Sequence, residues 1–573
     1  MSNTAIPSQS KPKTQATRTG LTIFSGRRGA KRRETMLAYL FLSPAIIIIG
    51  LFGLFPLVFS VYQSTRAGLN NVVGRPDGLG QYVRAIDNLA YVLAFWMALF
   101  FVIVTVRQIN ELLTTSRSKN ENPWGWLLPG ILSAVGIALL LRLMFVFMPG
   151  LLEVGERLIG FTAVERNELF PVFVGEAWTA PGVSSTFYMG ILALILAGVT
   201  YTFLQQYTKP TLRDSFYTSK LTTAVLMIIL ATAITWFTTS EIQLAYVEAL
   251  EEGESLAIWA QMVTISAGFV LLLLSWLVWR TAASRDSNLQ TGLRFLAGIF
   301  LMIGGWVLIA ELPVVIAEGN EDWWVSLRTT VFYVMGALPA ELFLGLVLAT
   351  LLYQDIKAKG MFRMIYFLPY ITPAVGAAAV FKVLFSGNPN GTINTVLASL
   401  GFQPLGWLNE PSGINQLIGE ALNFNIAEWA AGPSLALVVA IIFGIWKYTG
   451  YNVVFFLAGL GNISREYYEA ASIDGAGRWA QFRYITLPLL SPITYFLTIF
   501  GVIGTFKAFN TIFVLRSRAA LGTMDTSSLV IFDAFNRDTR IGYAAALGII
   551  LLIVILSATV LLDRVAKGRV FYG

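Results

Sequence analysis

The chain contains neither cysteine nor histidine. Disulfides, thiolate nucleophiles, imidazole bases and the commonest transition-metal ligands are therefore excluded together. Charge is scarce too: 13% of the 573 residues are Asp, Glu, Lys or Arg, against about 25% in an ordinary soluble domain. The dipeptide Gly-Lys does not occur, so the chain has no GxxxxGK[ST] phosphate loop and is not its own P-loop ATPase. No paired carboxylates stand within its apolar segments. Little is left with which to catalyse bond chemistry, and no catalytic or metal-binding residue is assigned.

Apolar surface, by contrast, is abundant. With 56% hydrophobic residues and a mean hydropathy of +0.67, the chain reads as an all-α polytopic membrane protein. The net charge of +7 sits in the N-terminal arm and in alternate loops, which is a topology signal and not the footprint of a nucleic-acid partner. Residues 1–35, ending in Lys31-Arg32-Arg33, are polar and basic and predict a disordered cytoplasmic arm. The first apolar run, directly after this arm, is too long for a signal-peptide core.

About twelve runs are long enough to cross a bilayer at roughly 20 residues each. They fall near 37–62, 88–106, 125–148, 185–204, 221–239, 256–279, 295–317, 329–353, 364–385, 434–459, 486–515 and 541–562. With the N-terminus inside, the cytoplasmic loops hold Arg107, Arg117 and Lys119, then Lys209, Arg213 and Lys220, then Arg280, Arg285 and Arg294, then Lys357, Lys359 and Arg363. The opposite loops are rich in Glu, including Glu252 and Glu254. This Lys/Arg bias places both termini, with Arg564, Lys567 and Arg569, in the cytoplasm. Arg516, Arg518, Arg537 and Arg540 break the pattern on the outer side, and the sequence offers no reason.

One polar, helix-compatible segment lies between two apolar runs: EAASIDGAGRWAQFRYITLP, residues 469–488. Glu469, Ala470 and Ala471 are followed by Asp474, Gly475 and Ala476, then by Ile485, Leu487 and Pro488. The small residues let a short helix lie close to a partner. Gly475 supplies a turn that a side chain would obstruct, and Pro488 marks where the next helix begins. The pattern resembles the coupling loop of permease subunits of binding-protein-dependent ABC importers. The resemblance is specifically to the carbohydrate type, the maltose, oligosaccharide and glycerol-phosphate kind. It extends to AYLFLSPAIIIIGLFGLFPLVFSVYQS, to GLGQYVRAI at 78–86 with Gln81 where the family has Asn, and to most of the chain from Trp324 onward.

The resemblance implies a six-helix type I ABC importer core: residues 36–87 supply its first helix and outer loop, and 323–573 the remainder, with the coupling loop at 461–488. Residues 88–322 form an insertion of six accessory helices, an even number that preserves the orientation of every downstream helix. Implied partners are a second homologous permease, two ABC ATPase subunits that bind the ATP and Mg, and an extracytoplasmic solute-binding protein. No cofactor is expected in this chain itself. It would lie in the lipid bilayer of a prokaryotic cytoplasmic membrane and translocate a sugar, oligosaccharide or related polyol. Glu469 would pair with a basic residue of an ATPase groove, while Asp474 and Gly475 cap and turn the loop. The rival reading is a 12-helix ion-coupled secondary transporter.

Ionisable residues at membrane depth are functional candidates. In the run 486–515, read as one spanning helix, Phe506, Phe509 and Asn510 share a stripe and Lys507 joins the same broad face. They are the expected substrate cavity, with Thr505 peripheral. A second set, Tyr448 and Asn452 with Lys447, is expected at the cavity or its cytoplasmic gate. Glu341 is expected in a structural hydrogen bond, and Arg142 and Lys382 to snorkel. Pro369 and Pro373 should bend or interrupt their helix.

Overall fold

The structure is a computed structural model that describes residues 26–68, 75–207, 214–253, 256–282, 287–568 and 570. Residues 1–25 of the basic arm lie outside these, as do Lys209, Arg213, Glu254, Arg285 and Arg569. The chain divides into two compact units, Met1–Phe59 and Ser60–Gly573.

The first unit holds α1 (Gly26–Ile49), a π-helical turn, Gly50–Leu54, and the start of α2 (Phe55–Ser64), whose residues from Ser60 onward belong to the second unit. The helix starts at Gly26, so 26–35 are helical and do not belong to a disordered arm. Lys, Arg and Glu lose little rotamer freedom in a helix and simply extend the apolar helix outward.

In the second unit, β1 (Arg66–Ala67) pairs antiparallel with β2 (Arg75–Pro76) and leads to the short α3 (Gly80–Ile86). Next come α4 (Leu89–Lys119), α5 (Leu127–Arg157), α6 (Ala163–Thr179), α7 (Val183–Tyr207), α8 (Asp214–Glu252), α9 (Ile258–Ala282) and α10 (Ser287–Glu318). The rest comprises α11 (Glu321–Tyr353), α12 (Lys359–Ile371), α13 (Ala374–Leu384), α14 (Thr392–Ser399), α15 (Ile414–Ala421), α16 (Leu435–Gly461), α17 (Arg465–Ile473), α18 (Arg478–Gln481), α19 (Leu487–Leu489), α20 (Ser491–Phe506), α21 (Asn510–Leu515), α22 (Ser527–Asn536) and α23 (Ile541–Ala566). Among the described residues ten helices are long and apolar enough to span a membrane, and twelve if each of two bent pairs counts as one span. The all-α, twelve-run expectation holds, with two of the runs broken: α12 and α13 meet at 91°, and the Arg478–Leu489 segment meets α20 at 59°.

Helices α4 to α10 pack chiefly in pairs, α9 on α10, α5 on α7 and on α8, and α4 on α8. Hydroxyls cross between helices, Thr105 Oγ1 donating to the Ala224 carbonyl at 3.3 Å and Ser275 Oγ to that of Ala297 at 2.7 Å. Such bonds hold helices together where no hydrophobic drive exists between them. This block meets α3 through Ile242, Ile258, Met262 and Ile265, packed with Leu79 and Val83. Glu241 Oε2 accepts from the Leu79 amide at 3.3 Å, placing a carboxylate at the start of α3. Gly78, at φ +55°, is required here, because a Cβ would collide with that carboxylate.

The second half is built on α11 against α16. One buried cluster joins Tyr333, Ala377, Leu437, Phe443 and Ile512; a second joins Trp323, Leu338, Val502, Phe506, Tyr543 and Leu547. They fix α11, α16, α20 and α23 as the frame on which the candidate sites are carried.

Candidate functional site

Helix α17 has no buried residue along its length, and meets the frame through Tyr468, packed against the cluster of Phe456, Leu460 and Leu490. Ser464 opens it, its Oγ accepting from the Glu466 amide at 3.3 Å. Its end is a Schellman turn: the Gly475 amide bonds the Ser472 carbonyl at 3.1 Å and the Ala476 amide that of Ala471 at 2.8 Å. Gly475 sits at φ +78°, the left-handed conformation such a turn needs. Asp474 serves through its backbone, its amide reaching the Ala470 carbonyl. Glu469 and Ala470 are exposed, and Ala471 and Ala476 are half-buried. Sequence reasoning missed Gln481. Its Nε2 donates to Ser472 Oγ at 2.8 Å and to the Ala476 carbonyl at 3.1 Å, tying the end of α17 to α18. Tyr468 meets Thr486 at 2.9 Å, hydroxyl to hydroxyl. Motion of α17 would thus be passed to the chain that leads into α20.

The second feature is the break between α12 and α13. Pro373 has no N–H, so the Pro369 carbonyl loses its intrahelical donor. Lys447, on α16 and only 5% exposed, supplies the replacement. Its Nζ donates to the carbonyls of Thr372 at 2.8 Å, Pro369 at 3.3 Å and Tyr370 at 3.4 Å. A cation at a helix C-terminus is also favoured by the helix dipole. Nearby, Gly450 lets α16 approach the α12 backbone, since a Cβ there would collide with the Tyr366 carbonyl oxygen.

Against this break runs a chain of aromatic rings from three helices. Phe367 and Tyr370 centre 5.5 Å apart, Tyr370 and Tyr448 6.2 Å, Tyr370 and Tyr451 4.9 Å, and Tyr451 and Phe455 4.7 Å. The row continues to Phe496 at 5.6 Å and Phe500 at a further 4.4 Å. Tyr448 is 37% exposed and Phe500 57%, so the row forms an open face. Asn452 is not part of it. It is buried against Gly345 of α11, one residue round the helix from Tyr451.

The single helical stripe expected across 505–510 is corrected. Helix α20 ends at Phe506, Lys507 is its C-cap, and α21 begins at Asn510, so no single helical stripe carries these residues. The carbonyls freed by the break are taken by hydroxyls at the start of α22: Thr526 Oγ1 reaches that of Ala508 at 2.9 Å and Ser528 Oγ that of Phe506 at 3.4 Å. Phe506 is buried against Leu338 and Val502. Phe509 packs on Phe532 at 4.8 Å. Lys507 and Asn510 are exposed. Glu341 is buried, and its Oε1 has no hydrogen-bond partner among the described residues, contrary to the structural hydrogen bond expected of it. Lys382 does not snorkel: its Nζ donates to the carbonyls of Val514 at 2.9 Å and Arg516 at 2.8 Å, capping α21. Arg142 lies mid-way along α5 and is exposed.

The unexplained arginines gain a reason. Arg516 pairs with Asp533 at 2.6 Å and also with Asp525, and Arg537 pairs with Asp533 at 3.1 Å. Burial raises the Asp525 carboxyl above its ordinary value, and the Arg516 guanidinium opposes that rise. Arg516 and Arg537, two of the four, are thus paired with Asp525 and Asp533, at and within α22.

Broken spans whose freed carbonyls are met by side chains, together with an exposed helix tied to the membrane frame, are the build of a multi-pass transport protein. Residues 341–570 match the family described as binding-protein-dependent transport system inner membrane component. The chain is 32% identical over 243 residues to the lactose transport system permease protein LacF of Rhizobium radiobacter, spanning 41% of this chain and 74% of that protein. It is 30% identical over 264 residues to the arabinooligosaccharides transport system permease protein AraP of Bacillus subtilis, spanning 46% of this chain and 77% of that one. A solved bacterial alginate ABC transporter in complex with its pentasaccharide-bound periplasmic protein is 23% identical with a TM-score of 0.37, over 43% of this chain and 79% of that one. The protein belongs to the binding-protein-dependent permease family, and is an inner-membrane, multi-pass permease. The secondary-carrier reading finds no support. Residues 88–322 lie outside the matched region.

Proposed function

We propose that this chain is one of two homologous permease subunits of an ATP-driven importer for a sugar, oligosaccharide or polyol. The row of aromatic rings from Phe367 to Phe500 carries the substrate class, because aromatic faces stack on the apolar faces of sugar rings while tyrosine hydroxyls meet their hydroxyl groups. The names of the two curated relatives point the same way. Tyr448, Tyr370 and Tyr451 take the cavity role, in place of Phe506, Phe509 and Asn510. Two ABC ATPases bind ATP and Mg, with Glu469, Ala470 and Ala471 of α17 at their surface. A binding protein delivers substrate from outside, and this chain makes and breaks no substrate bonds. Residues 88–322 form an accessory bundle beside the core.

Tyr448→Ala should weaken substrate-stimulated ATPase activity and uptake in proteoliposomes by about threefold to tenfold, the worth of one aromatic contact. Its melting temperature should stay near that of the parent. Unchanged uptake across a panel of oligosaccharides would place the pathway elsewhere. Lys507→Ala and Asn510→Ala should have little effect in the same assay.

Orientation is tested by labelling, which a cysteine-free chain makes clean. Ser472→Cys in α17 should react with a membrane-impermeant maleimide only from the cytoplasmic side, and Ser399→Cys in α14 only from outside. Labelling of Ser472→Cys from outside would invert the topology and remove α17 from the reach of an ATPase.

A further inference from the structure

The chain turns from α3 into α4 at Asp87 and Asn88, and here the accessory helices meet the core. The Asn320 amide, in the turn from α10 to α11, donates to the Ala85 carbonyl of α3 at 3.1 Å. Asn88 Nδ2 donates to Gln261 Oε1 of α9 at 2.6 Å. Asp87 is held at φ +47°, a backbone that favours glycine and, after it, asparagine and aspartate. Its Oδ2 is buried and has no hydrogen-bond partner among the described residues. The group within hydrogen-bond reach of this carboxyl is a second one, that of Glu318 at the end of α10.

Two carboxylates are both acceptors and both negative, so as anions they leave Asp87 without a donor and repel each other. The surrounding elements do little to relieve them. Arg84, the one cation on α3, is exposed and donates to Gln81, which in turn donates to Asp77. From α8, Glu241 and Glu248 act together with Asp87 on the Tyr91 hydroxyl of α4. Helix α9 offers the neutral Gln261, and α11 opens with Glu321 and Asp322. Arg540 and Asp538, ahead of α23, act on the Tyr543 hydroxyl. Burial pushes the Asp87 carboxyl above its ordinary value, the Asn88 amide opposes the rise, and Glu318 adds to it.

We propose that Asp87 carries a proton and donates it to the Glu318 carboxylate, latching the end of α10 to the turn between α3 and α4 in a pH-sensitive way. Glu318 is exposed, which gives that proton a route to bulk water. Its loss removes the donor from the pair and leaves a charge on a buried oxygen, so attraction between α10 and α3 becomes repulsion. Ala85 and Ile86 of α3 pack with Trp323 of α11 and with Tyr543 and Leu547 of α23, so an open latch is felt in the core as well as in the accessory helices. A carboxyl whose value is raised by folding binds its proton better in the folded chain. Its contribution is therefore present at low pH and is lost as pH rises through the raised value. The junction is tight in acid and loose in base.

The test compares the full-length chain, in its transporter complex, with Asp87→Asn and with Glu318→Gln, and none of its readouts depends on transport. From about pH 5 to about pH 8 the melting temperature of the parent should fall a few degrees further than that of Asp87→Asn. The asparagine amide donates to Glu318 at every pH and accepts the positive φ. Glu318→Gln should flatten the profile in the same way, and because Glu318 is exposed it keeps the comparison open should Asp87→Asn fail to fold. At one alkaline pH, amide hydrogen exchange in the turn between α3 and α4 should be about threefold to tenfold faster in the parent than in either variant. Infrared difference spectra across the same titration should show a protonated-carboxyl band in the parent that Asp87→Asn lacks. Parallel melting profiles in the parent and both variants would overturn the latch. So would a rise in the parent's melting temperature on adding calcium with no such band, which would make the two carboxylates cation ligands.

Discussion

Lys447→Met should abolish most transport while leaving a chain that still inserts into the membrane. The Thr372 carbonyl loses a 2.8 Å bond and those of Pro369 and Tyr370 lose longer ones. Pro373 cannot donate in their place. Each buried group left without a partner costs about 1–3 kcal/mol, so the junction between α12 and α13 should loosen. Uptake in proteoliposomes is expected to fall more than about tenfold, and the detergent-solubilised variant to melt several degrees lower. Gly450→Val should fail in the same direction for a different reason, since its Cβ would press on the Tyr366 carbonyl and force α12 outward. Tyr448→Ala, one position along from Lys447, is the control: it should lower uptake without lowering the melting temperature. Parent-like melting and uptake for Lys447→Met would mean that the bend is held by packing alone, and that the ammonium is dispensable.

The contrast between Lys447 and Lys507 shows what the sequence carries. Both are cations in apolar surroundings, and hydropathy marks both equally. What separates them is a partner: Lys447 meets carbonyls exposed by a proline 74 residues earlier in the chain, whereas Lys507 caps the end of α20 and faces out. Pro369 and Pro373 were legible as interruptions, because a proline removes a donor wherever it stands. The break after Phe506 was not, because no proline marks it and the apolar run continues on both sides of Lys507. Its cause lies in Thr526 and Ser528, whose hydroxyls stand some twenty residues onward and donate to the freed carbonyls. The spans themselves were legible, since a membrane demands length and apolarity of every crossing. The coupling segment was legible because its determinants are local: small residues, a glycine at the turn and a proline at the next helix start. The arginines after Leu515 needed the loop to fold before Asp525 and Asp533 could come within reach.

Glu469→Lys should uncouple the transporter without disturbing its membrane frame. The side chain is exposed and has no hydrogen bond or ion pair among the described residues, so reversing its charge removes nothing that holds the chain together. Stability on heating should therefore match the parent. At a docking face the same change replaces attraction by like-charge repulsion, which costs several kcal/mol where the contact is desolvated. ATP-driven uptake should fall by about tenfold or more, and less ATPase subunit should co-purify. Gln481→Leu offers the complementary test, because it leaves that face intact but cuts the bonds from α18 to Ser472 and Ala476. It should retain the ATPase subunits and their hydrolysis, yet deliver less substrate per ATP. Gly475→Ala should be milder than either, since a Cβ there meets open space and the penalty is the left-handed backbone alone, about 1–2 kcal/mol. If Glu469→Lys vesicles import normally with a full complement of ATPase, then Glu469 is an ordinary solvated charge, and the contact must be sought among the exposed Tyr467, Ile473 and Trp479 of the same surface.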